Sequence, residues 1–375
     1  MKYKLGEIAT FKNGKKRPNE IGTIPVYGGN GILNYTNQSN NRHCVIIGRV
    51  GAYCGSVYYC KDDCWVSDNA IVSTATEFSD IVYLYYLLKD LQLNKRHIGT
   101  GQPLLTQEIL NNIIVEIPPL ETQQKIAKVL SDLDKKIKLN NEINNNLEQQ
   151  AKAIFKSWFV DFEPFGGVQP SEMQFIPLQE LCKVVTKGTT PTTLGKSFTS
   201  SGINFIKAES ILDNHSIDSS KFAFIDEETN ALLKRSIIKA NDIVFTIAGT
   251  LGRFAMVDNS VLPANTNQAV AIIRPDETKV TPAYLYSFFI GNWHNEYYSK
   301  RIQQAVQANL SLTTIKSLPI AVLSNATMNN YDELVSPLFS LMKSNEEENR
   351  RLSELRDTLL PKLMSGELDV SDIEL

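Results

Sequence analysis

Residues 117–164 read IPPLETQQKIAKVLSDLDKKIKLNNEINNNLEQQAKAIFKSWFVDFEP. Within them Ile126, Leu130, Leu133, Ile137, Asn140, Asn144, Leu147, Ala151, Ile154 and Trp158 recur at alternating spacings of four and three. That is the seam of a long helix that pairs with another helix. Pro118 and Pro119 precede the pattern, and Pro164 with Gly166 and Gly167 closes it. About 40 residues at ~1.5 Å each reach roughly 60 Å, more than a small domain needs for a covering helix. Asparagines sit at the middle of the seam, where buried polar groups fix register at some cost in stability.

A second seam lies near the C-terminus. Leu334, Leu338, Leu341, Asn345, Glu348, Leu352, Leu355 and Leu359 repeat the spacing, with Pro361, Ser365 and Gly366 ending it. Pro337 either kinks this helix or begins it behind Ser336. One helix alone leaves its leucines in water, so the expectation is that the two pair. The alternative packs each seam on its own globular segment.

Each long helix follows a globular segment, and the two segments resemble each other. LGEIATFKNG (5–14) parallels LQELCKVVTKG (178–188), and SDNAIV (67–72) parallels TNQAVAI (266–272). LYYLL (84–88) parallels LYSFF (285–289), and QPLLTQEILNNIIVEI (102–117) parallels QANLSLTTIKSLPIAV (307–322). A repeat this long is a pair of domains rather than a solenoid. Strand-like runs cover 43–50, 56–60, 65–73, 241–249, 253–257 and 268–274, and helices are expected over 81–93 and 282–298. The predicted class is α+β: two similar mixed α/β domains, 1–118 and 164–330, joined and spaced by long helices, 119–163 and 331–366, that pair in a coiled coil. Residues 367–375 form an acidic tail.

Bulk composition is that of a globular protein, 42% hydrophobic and 21% charged. The N-terminus lacks an apolar signal core, and runs such as IVYLYYLL are too short to span a bilayer, so the expectation is a soluble cytoplasmic protein without membrane partners. Net charge is −3, yet residues 331–375 alone carry 5 basic and 11 acidic groups. Both globular segments are therefore close to neutral and free to present basic faces.

Motifs for catalysis are missing. GTTPTTLGKS (188–197) ends like a phosphate-binding loop, but Thr190 stands where the first glycine belongs and Pro191 removes a donor. There is no Asp/Asn/Ser-Pro-Pro-Tyr/Phe amino-methyltransferase motif, and RPDETK (274–279) reads as a turn rather than a nuclease centre. The four histidines form no motif. Cys44, Cys54, Cys60 and Cys64 lack paired C-x2-C knuckles, so they read as buried thiols before zinc or disulfide. Cys60 and Cys64 look placed to face each other across a hairpin turn. The chain calls for no catalytic residue, metal or cofactor of its own.

What remains is recognition. Loops rich in Gly, Asn, Gln, Thr, Lys and Arg carry donors suited to phosphates and base edges. The candidates are Lys12, Lys15, Lys16, Arg17, Asn30, Arg49, Tyr53, Arg96 and Gln102 in the first segment. In the second they are Lys187, Thr189, Thr190, Lys196, Lys207, Arg253, Arg301, Gln304 and Gln307. Arg49, Tyr53, Gln102, Arg253, Gln304 and Gln307 are assigned to bases and the lysines to phosphates.

Taken together, LGEIATFKNG, VYGGNG, IIGRVGAYCG with WVSDNAIV, IPPLETQQKIAKVLSDLDKKIKLNN, FKSWFVDFEPF and LRDTLLPKLMSGEL resemble the specificity subunit of type I restriction–modification systems. The likeness runs over nearly the whole chain, although VLSNATMNNYDEL departs from the tidier start of the first helix. The resemblance implies two target recognition domains, each reading one half of a bipartite site in double-stranded DNA. It implies that the two helices form an antiparallel coiled coil, fixing the separation of the domains, on which two methyltransferase subunits dock to modify adenine N6. A restriction subunit would add ATP-driven translocation and cleavage. Unlike halves imply an asymmetric site. Competing readings are the recognition subunit of a type II-like complex and a coiled-coil adaptor that binds no DNA.

Overall fold

The structure, a computed structural model, describes residues 1–99, 101–302 and 309–370, with the backbone alone for residues 296 and 299–302. Packing divides the chain into two compact units, residues 1–139 with 348–375 and residues 140–347.

The first unit begins with β1 (Lys2–Lys4), α1 (Leu5–Ile8), β2 (Ala9–Asn13), β3 (Ile24–Gly28), β4 (Gly31–Thr36), β5 (Asn41–Gly48), β6 (Val57–Val66) and β7 (Ala70–Ala75). Then come α2 (Ile81–Asp90), α3 (Gln107–Asn111), β8 (Ile114–Glu116) and the long α4 (Leu120–Phe159). Six strands form one sheet in the order β2-β7-β5-β6-β3-β4, and β1 pairs with β8. Along β5, Val45 and Ile47 join the main core with Leu84, Leu87, Ile126 and Leu130, while Cys44 and Ile46 fill a smaller cluster on the other face. That two-residue alternation is why the whole run is apolar. Asp80 caps α2, accepting from the Val82 and Tyr83 amides at 2.8 and 2.9 Å.

Next come β9 (Gln174–Pro177), β10 (Cys182–Lys187), β11 (Ile203–Ile206), β12 (Ala223–Ile225), α5 (Glu227–Leu232), β13 (Ile243–Thr246), β14 (Phe254–Met256), β15 (Ala264–Thr266) and β16 (Val270–Pro275). They are followed by α6 (Pro282–Ile290), α7 (Trp293–Ile302), α8 (Leu312–Lys316), β17 (Pro319–Val322) and α9 (Asn325–Ser365). Here the main sheet runs β10-β16-β13-β14, a second runs β12-β11-β15, and β17 pairs with β9.

The repeat is visible strand by strand. β2 pairs antiparallel with β7 (Asn13↔Ile71) and β10 with β16 (Lys187↔Ala271). The Leu5 amide donates to the Ile113 carbonyl and the Leu178 amide to the Leu318 carbonyl. Thr106 caps α3 as Ser311 caps α8. Two sequence expectations change. WVSDNAIVS is the end of β6, a turn and the start of β7, rather than one strand. The helix over 282–298 is broken at Gly291–Asn292 into α6 and α7.

The long helices pair within each unit. In the first, Arg356 of α9 meets Asp134 of α4 at 2.6 Å and Lys136 meets Glu348 at 3.1 Å. In the second, the buried Asn345 amide donates to Asn144 Oδ1 at 2.7 Å, and Asn144 Nδ2 donates to the Met342 carbonyl. Contacts move down one helix as they move up the other, so the pairing is antiparallel. Ile126, Leu130, Asn140, Asn144 and Leu147 are buried, and Leu133, Ile137, Ile154 and Trp158 are partly so.

The second seam needs correction. Leu334, Leu341 and Leu355 are 48%, 47% and 47% exposed. Matching the helix starts, Leu120 with Asn325, puts Tyr331 at the repeat position of Ile126, Val335 at that of Leu130 and Met342 at that of Ile137, and these three α9 residues are buried. The true seam shares Leu338, Asn345, Leu352 and Leu359 with the expected one, and its other line is Val335, Met342, Asn349 and Arg356. Both phasings satisfy the heptad spacing, and the leucines at 334, 341 and 355 favoured the wrong one. Nor does α9 begin at Pro337: it runs through that residue from Asn325.

Cys60 and Cys64 also need correction, because both lie within the single strand β6. Cys60 faces Cys44 across the β5–β6 ladder, and the Cys44 and Cys64 sulfurs are 3.7 Å apart. All five cysteines are free thiols, and no cluster among the described residues is arranged to hold a metal.

Candidate nucleic-acid interface

In the first unit, one end of the large sheet gathers the glycine-rich loops. The Gly14 amide donates to Ala70 and the Lys15 amide to Val66, which holds the segment after β2 beside the β6–β7 turn. The Leu105 amide donates to Arg49, the Gly51 amide to Pro103, and Ile98 pairs with Leu104. Segments 48–55 and 103–105 therefore lie side by side. Ser56 Oγ donates to the Gly29 carbonyl at 2.5 Å, tying in the β3–β4 turn.

This arrangement brings together Lys15, Asn30, Arg49, Tyr53 and Gln102. Lys12, Lys15, Lys16, Arg17, Asn30 and Gln102 are exposed, and Tyr53 is 52% exposed. Arg49 is half-buried, and its Nη1 reaches the Asp68 carbonyl at 3.5 Å. Arg96 is exposed but turned back on the end of α2, with Nε donating to the Leu91 carbonyl at 3.0 Å.

The second unit builds the same end from β10, β13 and β16. The Gly188 amide donates to Asn267 and Val270, and the Leu310 amide to Ile247, as Leu105 does to Arg49. Close approach explains the glycines. A Cβ on Gly14 would lie 2.1 Å from the Ser67 carbonyl oxygen, and one on Gly188 would lie 1.8 Å from that of Thr266.

Lys187 is exposed at this end, and Thr189 Oγ1 accepts from Arg235 Nη2 at 3.3 Å. Thr190 donates through its hydroxyl to Gln268. Several cations are engaged in ion pairs: Arg253 with Asp213 through two contacts of 2.6 Å, Lys196 with Glu228 at 2.7 Å, and Lys207 with Glu209 at 2.6 Å. The Glu228 carboxylate holds the Lys196 ammonium above its ordinary pKa. GTTPTTLGKS makes a single 3-10 turn over Pro191–Leu194 with no helix after Ser197, unlike a nucleotide loop. The side chain of Arg301 and the whole of Gln304 and Gln307 lie outside the described residues.

Arg235 and Gln268 were missed by sequence reasoning. Arg235 sits after α5 in an insertion with no counterpart in the first segment, so the repeat offered no signal for it. Gln268 lies inside the repeated TNQAVAI block and was legible there.

A family model for the type I restriction modification DNA specificity domain matches residues 1–149 and 170–324, one match on each copy of the repeat. The chain belongs to this family. Among curated specificity subunits, that of type I restriction enzyme HindI from Haemophilus influenzae is 27% identical, covering 71% of each chain. That of MjaIX from Methanocaldococcus jannaschii is 27% identical, covering 78% of this chain and 70% of the relative. The type I S subunit of M. genitalium superposes with a TM-score of 0.62 at 17% identity, over 97% of this chain and 95% of that one, which establishes a shared fold. A type I specificity subunit is the non-catalytic recognition component of its system. No helix among the described residues of this specificity subunit is long and apolar enough to cross a membrane.

Proposed function

We propose that this chain reads an asymmetric, bipartite site in double-stranded DNA, one recognition domain per half, and docks two adenine-N6 methyltransferase subunits. The observation that carries the reading is the repeated loop end with unlike side chains at matched positions. The ladders set Arg49 at the position of Ile247 and Lys12 at that of Thr186. Two such ends read different base pairs. Arg and Gln offer bidentate contacts to base edges, while lysines and loop amides suit phosphate.

On this reading Leu334, Leu341 and Leu355, exposed on α9, are docking positions for the methyltransferase partners, and a restriction subunit joins the same complex. Residues 1–118 and 164–330 are the recognition domains and the helical segments are the spacers.

The test separates reading from holding. Arg49→Ala should relax specificity at one position of one half-site. Lys15→Ala should weaken binding to all sequences and lower the slope of log K against log salt by about 0.9. Loss of all binding in Arg49→Ala, with no change of preference, argues against a base-reading role.

A further inference from the structure

In the first unit an open groove of about 880 Å³ lies between the β3–β4–β6 side of the sheet and helices α2, α4 and α9. Tyr58, Tyr59 and Tyr85 line it, half-buried, and Lys61 and Lys89 stand at its edge. The Lys89 ammonium lies 5.2 Å from the centre of the Tyr85 ring. The one lining carboxylate, Asp134, is occupied: it accepts from Tyr86 Oη at 2.5 Å and from Arg356 at 2.6 Å. The groove thus offers aromatic faces and cations with no carboxylate left to compete for them.

The second unit supplies an internal control. Its ladders match Tyr59 with Met256, and so Lys61 with Asp258. The LYYLL and LYSFF segments match Tyr86 with Ser287 and Lys89 with Ile290, and the helix starts match Asp134 with Phe339. Phe339 packs edge-on against Tyr286 at 5.1 Å, and the corresponding space shrinks to about 60 Å³ with Asp258 and Glu346 in its lining. The same fold therefore closes this place in one copy, where Asp258 and Glu346 join a single lysine, Lys343, in the lining, and opens it in the other, where lysines outnumber the one engaged carboxylate. The groove is not a by-product of the architecture.

We propose that this groove binds a nucleotide unit, its base against the tyrosine rings and its phosphate on Lys61 and Lys89. Stacking on aromatic side chains combined with backbone-tracking cations is how unpaired nucleotides are held without sequence preference. The groove opens beside Asn30, one of the reading-loop candidates, but the residues used here are not those assigned to reading duplex DNA. The unit's source is either a free mononucleotide or an unpaired strand.

The experiment measures equilibrium binding of the full chain to three fluorescent probes: AMP, a twelve-residue oligo-dT and a Glu-rich peptide of equal charge. The variants are Lys61→Asp and Lys89→Ile, singly and together. These are the residues the second unit carries at the matched positions, so the fold accommodates them. The expected result is saturable nucleotide binding that falls about tenfold in the double variant. With oligo-dT, the salt slope should drop by about 0.7, the single-strand value for one neutralised phosphate. AMP binding assigns a free nucleotide, and oligo-dT binding without AMP binding assigns a strand. Neither AMP nor oligo-dT offers the duplex base edges that the reading loops require, so failure here is separable from failure of that reading. Binding of the peptide alone, or nucleotide binding indifferent to both substitutions, overturns the proposal.

Discussion

Asn345 Nδ2 donates to Asn144 Oδ1 at 2.7 Å, with both side chains at least nine-tenths buried between α4 and α9. Two amides satisfy each other in the polar middle of the seam, and Asn144 spends its own Nδ2 on the Met342 carbonyl. Such a pair favours one register, because sliding the helices leaves an amide unpaired. Asn345→Ala should cost about 1–3 kcal/mol, the scale for stranding a buried polar partner. Replacing both with leucine should recover most of that loss, giving a coupling energy of about 0.5–3 kcal/mol in a double-mutant cycle read by urea unfolding. Strictly additive losses contradict the pairing.

Leu130 is fully buried and Leu341 is 47% exposed, although both belong to heptad-spaced lines. Leu130→Ala should destabilise the chain by about 2–5 kcal/mol. Leu341→Ala should stay within about 0.5 kcal/mol. If the exposed line docks methyltransferase subunits, the triple replacement of Leu334, Leu341 and Leu355 by serine should leave the melting temperature of the chain unchanged. It should at the same time abolish co-purification of those subunits.

Gly188→Ala places a methyl group 1.8 Å from the Thr266 carbonyl oxygen, a backbone atom fixed by the β11–β15 pairing. The β10–β16 end must open to admit it. The expected outcome is loss of the specificity attributed to the second half-site with retention of that of the first, read by methylation of hybrid substrates. Gly195→Ala is the control, because a Cβ there meets nothing within 4 Å, although its φ of +70 makes the substitution mildly strained.

His294 is buried among Phe245, Phe254 and Phe289 with both ring nitrogens unpartnered, and burial pushes its pKa down to about 3. Burial also lowers His215, against the nearby Glu148. The folded state holds His294 neutral while the unfolded chain takes up a proton near its ordinary value of 6.5. Between those values the unfolded state binds more protons, so stability is full above about pH 6.5 and falls as pH drops toward 3. His294→Phe should flatten part of that acid slope in unfolding titrations. An unchanged slope contradicts a buried neutral imidazole.

Much of the fold was legible because periodicity reports burial directly. The first helix and its seam follow from spacing alone, although the helix ends at Phe159, short of the stop expected at Pro164. The repeat located matched strands and loops, while the caps at Thr106 and Ser311 emerged only from the backbone they close. The phase of the second seam was not legible, since Leu334, Leu341 and Leu355 satisfy the heptad as well as Val335, Met342, Asn349 and Arg356 do. Only the packing partner separates them. At the candidate interface, the glycine-rich loops announced themselves by composition. That Arg253 is held by Asp213 and Lys196 by Glu228 is tertiary information, set by residues 40 and 32 positions away. No local pattern encodes it.

On the proposed function, this chain directs methylation to one bipartite DNA site. The most direct measurement maps N6-methyladenine across the source genome with the gene intact, deleted and carrying Arg49→Ala. Deletion should remove methylation at a single asymmetric bipartite motif, and Arg49→Ala should broaden one half of that motif and leave the other intact. Methylation unchanged by deletion, in cells where the partner subunits are expressed, contradicts it.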